Sequence, residues 1–287
     1  MINYYLLTKP GILLGNLVTF TAGFLLASRG QMNLPLFLAT LLGLACIMAS
    51  GCVFNNYIDL PLDKKMTRTQ NRPLVKGLIP KAIALIFGCV LGLLGLGILL
   101  IFTPFITSAL AGFGFIIYVL VYSLWKSRTT YGTAIGSIAG AIPPVVGYTA
   151  VTGQLDLGAI LIFALMTLWQ MPHFLAIALY HLEDYEKAGI PVLPLKKGLL
   201  RTKVHMTLYI IAFICILLLL THFQYTGNLF LIVTLISAVI WLSLSLKGFR
   251  TNDHHLWGRQ MFVISLFVIF IFSLVIPVDI LYASLIH

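Results

Sequence analysis

Long apolar runs separated by short polar breaks dominate this chain. Each run comes close to the length of about 20 residues that an α-helix needs to cross the hydrocarbon of a bilayer. Nine such spans are predicted, approximately at 10–28, 34–58, 82–102, 104–124, 131–151, 156–181, 206–222, 227–247 and 260–283. The tightest break is Thr103-Pro104, where a proline without an N–H separates two spans with almost no loop. Outer connections are short, around 29–34, 152–154 and 222–226. Two inner connections are long, about 59–81 and 182–205, and each begins with acids and ends with bases. Spans 2 and 6, which precede these loops, therefore read as equivalent members of two related halves, with the last span an addition. The pattern predicts an all-α polytopic membrane protein whose single domain covers 1–287, with a first-half acidic loop at 55–81 and a second-half loop at 181–205.

Composition agrees. The chain is 60% hydrophobic and 9% charged, with a mean hydropathy of +1.03, where a soluble domain carries about a quarter charged residues. With the N-terminus inside, all but Arg29 of the 18 Lys and Arg fall on inner segments. The positive-inside rule selects that orientation. The net charge of +10 then describes the cytoplasmic face, and nucleic-acid binding is a poor reading because the charges flank spans. The first span lacks the charged n-region of a cleaved signal peptide, and no Arg-rich, Ser-rich presequence precedes it. A bacterial plasma membrane is expected. Cys46, Cys52, Cys89 and Cys215 lie in apolar segments without metal-ligand spacing and read as buried small apolar residues.

The end of span 2 departs most from this apolar background. Asn55, Asp59 and Asp63 recur every four residues, which places three oxygen-bearing side chains on one helix face. Such a face suits Mg²⁺, a hard cation that bridges to substrate phosphates. Lys64, Lys65, Arg68 and Arg72 follow, and guanidinium forks suit phosphate oxygens. The alternative is a capped helix end with bases attracting anionic lipid. It accounts for the lysines but not for the spaced acids beside two arginines. Pro61 lies between the aspartates and is expected to kink the helix, so that the loop places Asp63. The second loop offers Glu183, Asp184, Glu186 and Lys187, either a facing second Mg²⁺ site or a solvated charge cluster.

Tyr122 and Lys126, four apart at the inner end of span 4, either reach the same diphosphate or anchor at the interface. Span 6 contains Trp169-Gln170-Met171-Pro172-His173-Phe174. A Gln and a His inside a span need partners, and Pro172 is expected to kink the helix and loosen the backbone beside His173. His173 either hydrogen-bonds a neighbouring helix, ligates haem iron or shuttles a proton. Span 5 is rich in small residues from Gly136 to Pro144, which permit close helix approach or leave room for a flat substrate.

Taken together, several runs resemble the haem-farnesylating branch of the UbiA-type intramembrane prenyltransferase superfamily. They are N-x-x-x-D-x-x-x-D continuing as D-x-x-M-x-R-T-x-x-R-P-L (Asp63 to Leu74), A-G-A-I-P-P-V-V-G-Y (139–148), W-Q-M-P-H-F (169–174) and D-Y-E-K-A-G-I-P-V-L-P (184–194). The resemblance implies Mg²⁺-dependent transfer of a farnesyl group from farnesyl diphosphate to a vinyl group of haem b, giving haem O for terminal oxidase haem synthesis. It assigns Asn55, Asp59 and Asp63 to the acidic motif that holds Mg²⁺; Asp184, from the acids of the second loop, is expected as a further metal ligand. Arg68, Arg72, Tyr122 and Lys126 are assigned to the diphosphate, and His173 to haem contact. Gln170, Glu183 and Lys187 complete the expected substrate-binding set. Membrane lipid is an implied partner, as is haem A synthase or a terminal oxidase. Here Asp184 is followed four residues on by Ala188 and preceded by His181, a departure from the aspartate-rich second motif of branches with aromatic acceptors. The rival readings are a prenyltransferase with an aromatic or quinone-precursor acceptor, a membrane transporter, and a non-catalytic haem-binding assembly protein. The last three spans add little beyond hydropathy.

Overall fold

The computed structural model describes the backbone of residues 1–286 and the side chains of residues 1–282. A short helix, Ile2–Leu7, precedes α1 (Pro10–Ser28), α2 (Leu34–Ile58), α3 (Lys81–Phe102), α4 (Phe105–Trp125), α5 (Gly132–Thr152), α6 (Leu157–Tyr180), α7 (Leu199–His222), α8 (Asn228–Lys247) and α9 (His254–Ile286). Among the described residues these nine are the helices long and apolar enough to span a membrane. Their starts have local causes. The Asn33 side chain accepts from the Leu36 amide at 3.1 Å and caps α2, and Asp156 accepts from the Ala159 amide at 3.0 Å and caps α6. Gly153, at φ 67°, closes α5 in a left-handed conformation open to glycine.

Two spans begin earlier than hydropathy suggests. α7 starts at Leu199 rather than 206, and α9 at His254 rather than 260. The helices continue out of the apolar zone through charged turns, and the Lys203 ammonium lies 5.7 Å from the Trp257 ring centroid, which accommodates it at the helix end. The second inner loop is correspondingly shorter and carries two short helices, Leu182–Ala188 and Leu193–Lys197.

α5 and α6 form the centre of the bundle. Of their most apolar windows, 67% and 61% is buried, against 17% for α3 at the periphery. α1 packs along α5, α3 pairs with α2, α6 packs on α5, α7 and α9, and α9 closes against α1. The α1–α5 crossing is a backbone contact: a Cβ on Gly147 would lie 2.3 Å from the Phe20 carbonyl oxygen, and one on Gly23 would lie 2.0 Å from that of Pro144. Small residues permit this approach. α6 runs as one helix across Pro172, and the neighbouring helices hold this buried stretch in place. The cysteines also correct an expectation. Only Cys52 is buried, whereas Cys89 and Cys215 are exposed on the apolar outer faces of α3 and α7. In a membrane-spanning bundle an outward thiol meets lipid, where a small apolar residue is equally at ease.

Candidate active site

The acidic motif is assembled by the end of α2. Asp59 terminates the helix, and the chain restarts as a single turn, Leu60–Asp63, with Pro61 in its first positions. Proline fits there because the N–H it lacks has no intrahelical partner at a helix start. The hydrogen bonds from the Asp59 amide to the Asn55 carbonyl and from the Asp63 amide to the Asp59 carbonyl, each 2.8 Å, carry the four-residue spacing across the break. Asp63 is thus held by a helical turn. All three side chains are buried, at 2–4% exposure.

Three cations from separate parts of the chain meet these three residues. Lys9, just before α1, donates from Nζ to Asn55 Oδ1. Lys126, at the end of α4, pairs with Asp59 Oδ2. Arg72, from the first inner loop, donates to Asp63 Oδ2 at 2.6 Å. Asn55 Nδ2 donates to Ser123 Oγ at 2.8 Å, so its amide is fixed at both ends. Asp59 Oδ1 is buried without a partner, an acceptor available to a bound cation. Burial, and then the charge of Arg72, pulls the Lys9 ammonium down to about 8.

α4 reaches the site through an irregularity. Between Ile117 and Tyr122 it widens into a π-helical turn, in which the Ser123 amide bonds to the Tyr118 carbonyl. Such turns insert one residue into an α-helix and occur often at functional sites. Here the wide turn stacks the Tyr118 and Tyr122 rings, with centroids 5.7 Å apart, and sets Lys126 beside Asp59.

The three acidic-motif residues, their three cations and the two tyrosines line one cavity of about 670 Å³. Its inner mouth is charged and also presents Arg68, Thr129 and Thr130, while its interior is apolar. One wall is made by Ile12, Gly15, Met48, Cys52 and Phe115. The other is made by Gly136, Gly140, Met166, Gln170 and His173, with Phe262, Leu266 and Ile269 from α9. The small residues of α5 serve this wall as well as packing. A Cβ on Gly136 would lie 3.0 Å from the Tyr122 ring, and one on Gly140 would lie 2.2 Å from Gln170 Oε1. That oxygen is buried and unpartnered. His173 stacks on Trp169 at 4.8 Å, and its Nδ1 lies 2.7 Å from Ser265 Oγ. The Ser265 hydroxyl donates to the Phe262 carbonyl at 2.5 Å, so its oxygen accepts from Nδ1–H. The imidazole is thereby held as the tautomer whose Nε2 lone pair is uncommitted.

The second loop behaves differently from expectation. Asp184 does not line the cavity. Its two oxygens accept from the backbone amides of Thr67 and Arg68, at 3.0 and 3.2 Å. It is a brace between the two inner loops and is not gathered with Asp59 and Asp63. Among the described residues no three His, Cys, Asp or Glu side chains converge to hold a metal unaided. Burial raises the Asp184 pKa, but the Thr67 and Arg68 amides outweigh it and hold the carboxyl below its ordinary value. Glu183 and Lys187 are exposed, 3.9 Å from each other on the solvent side of their short helix, and are likewise absent from the cavity wall. From this loop Tyr185 lines the cavity instead, together with Ile190, Pro191 and Val192. Lys9, Tyr118, Tyr185 and Ser265 are site residues that sequence reasoning missed. Tyr118 precedes Tyr122 by four residues, a signal that was present.

The UbiA prenyltransferase family model matches residues 16–274. A protoheme IX farnesyltransferase of Protochlamydia amoebophila is 59% identical over 97% of this chain and 99% of that protein. One of Yersinia pseudotuberculosis is 50% identical over 97% and 95%. Among solved structures, a digeranylgeranylglyceryl phosphate synthase superposes with a TM-score of 0.81 at 18% identity, covering 97% of each chain. A UbiA homologue from Archaeoglobus fulgidus, bound to GPP and Mg²⁺, superposes at 0.68 with 17% identity, covering 96% of this chain and 99% of that one.

Proposed function

Since the chain belongs to the UbiA prenyltransferase family, we infer that it transfers a farnesyl group from farnesyl diphosphate to a vinyl group of protohaem IX, giving haem O. The observation that carries this reading is the polarity of this cavity. Acids and cations crowd its inner mouth, and an apolar chamber with an uncommitted His173 Nε2 lies beyond. A water-soluble diphosphate and an apolar chain bound to it need that gradient. The near identity in length and the 59% identity to a protoheme IX farnesyltransferase support the acceptor.

Asp59 and Asp63 are the residues that would hold Mg²⁺, with Asn55 beside them, and the unpartnered Asp59 Oδ1 fits such an ion. Bound there, Mg²⁺ would draw its remaining ligands from the diphosphate and neutralise part of its charge. Arg68, Arg72 and Lys126 stabilise the negative charge that grows as the C1–O bond of the farnesyl group breaks and the diphosphate leaves with the electron pair. Tyr118 and Tyr122 wall off the allylic carbocation from water. The vinyl carbon of the haem attacks that cation, and water then adds to the second vinyl carbon and loses a proton, which leaves the hydroxyl of haem O. His173, with Nε2 uncommitted, would meet the haem iron, and the unpartnered Gln170 carbonyl oxygen would accept from a substrate donor. The site faces the cytoplasm across a bacterial inner membrane. Its product is passed to a terminal oxidase or to haem A synthase.

Membranes containing the chain, supplied with haem b, farnesyl diphosphate and Mg²⁺, are expected to form a later-eluting haem of greater mass. Chelation of Mg²⁺ is expected to abolish it, and Asp59→Asn to reduce it at least about a hundredfold. A folded wild type that forms no new haem would overturn the acceptor assignment.

A further inference from the structure

We propose that Lys9 is a diphosphate-binding residue whose ammonium moves from Asn55 to the leaving group of the bound substrate. The proposal rests on the prenyl-transfer reading above. Three features place this side chain in the cavity. The Ile2–Leu7 helix docks through the fully buried Leu7, which packs with Val53, Leu60 and Leu74. Asn56 Nδ2 donates to the Leu7 carbonyl at 2.8 Å and ties this segment to the end of α2. Lys9 itself adopts φ 52°, a left-handed conformation that is strained for a non-glycine residue and persists only where surrounding structure imposes it.

The setting is also electrostatically unfavourable without a ligand. A lysine at the start of α1 meets the positive end of the helix dipole. Arg72 and Lys126 act against its charge, and Asp59 offsets them only in part and from beyond ion-pair distance. Among the described residues no carboxylate lies within ion-pair distance of Lys9, and its hydrogen-bond partner is the neutral Asn55 amide. Strain, dipole and like charges oppose this placement and no carboxylate pairs with it directly, which leaves a place for an anion that arrives from outside. An anion with several oxygens at the same mouth as Arg68, Arg72 and Lys126 supplies it. Lysine serves phosphate as a compact point charge on a flexible stem, and such a stem can leave the amide oxygen for the anion.

The test uses the full chain in detergent and reads binding of inorganic pyrophosphate with Mg²⁺ by calorimetry, beside haem b binding by absorbance. Lys9→Met is expected to weaken pyrophosphate about tenfold or more, the value of a lost charge-assisted hydrogen bond. Haem b binding should be unchanged, and Lys9→Arg should recover most of the pyrophosphate affinity. In the wild type, saturating magnesium pyrophosphate should protect Lys9 from amine acetylation, read by peptide mass spectrometry. This second readout does not depend on any variant folding. Wild-type affinity in Lys9→Met, or acetylation of Lys9 unaffected by pyrophosphate, overturns the proposal alone. A wild type that does not bind magnesium pyrophosphate overturns the prenyl-transfer reading as well.

Discussion

Removing the Asp184 carboxylate distinguishes a metal ligand from a brace. The two hydrogen bonds from the Thr67 and Arg68 amides, at 3.0 and 3.2 Å, are made to an ionised acceptor. At the lower end of the range for such bonds they contribute about 3 kcal/mol together, roughly a hundredfold in the equilibrium between docked and undocked loop. Asp184→Ala forfeits this. Asp184→Asn keeps one carbonyl acceptor and loses about half. Hydrogen exchange at the Thr67 and Arg68 amides should accelerate in the order wild type, Asn, Ala. The Michaelis constant for farnesyl diphosphate should rise in the same order, because the loop carries Arg68 and Arg72. The Mg²⁺ concentration for half-maximal rate at saturating substrate should stay within about twofold. A carboxyl held below its ordinary value stabilises the folded state above that value and loses this contribution as pH falls through the folded pKa. Acidification below about pH 4 should therefore undock the loop, while alkali leaves it docked. Unchanged exchange in Asp184→Ala, together with a raised Mg²⁺ requirement, would refute the brace and restore Asp184 as a metal ligand.

Asp59→Asn should lower turnover by about 10²–10³-fold, since it removes the negative charge shared by the unpartnered oxygen and the Lys126 pair; excess Mg²⁺ in a steady-state assay should not restore it. Gly140→Leu should lower haem farnesylation about tenfold with pyrophosphate binding unchanged, because its side chain must displace Gln170. Absorbance titration of Ser265→Ala should show haem b affinity reduced about 10- to 100-fold, because His173 loses the acceptor that fixes its tautomer. Equal loss of pyrophosphate binding in either of the last two would count against a separate haem wall.

The parts of the site visible in the sequence are those set by local periodicity. Asn55, Asp59 and Asp63 share a face because a helix repeats, and even the restart at Pro61 keeps their spacing. Apolar length likewise located the spans. The hidden parts depend on contacts across the bundle: Lys9 meets Asn55 across 46 positions, and His173 meets Ser265 across 92. Neither pair leaves a spacing that a single sequence displays. Asp184 shows a third limit. Residue type does not display which groups a carboxylate meets, here the backbone amides of Thr67 and Arg68. The starts of α7 and α9 were misplaced because a hydropathy run stops at the first charges and a helix need not.

The wide turn in α4 has one further consequence. Each residue of an α-helix advances about 100° around its axis, so the extra residue between Ile117 and Tyr122 decouples the two ends of this helix. The outer end keeps a face that suits its helical neighbours, while the inner end is rotated independently toward the acids. Deleting one residue there would yield a more regular helix with the same composition and hydropathy, yet turn Lys126 about a quarter of the way round, away from Asp59. In α4 the count of residues is therefore itself a chemical determinant, and length variation in this stretch separates chains that insert into the membrane from chains that also turn over.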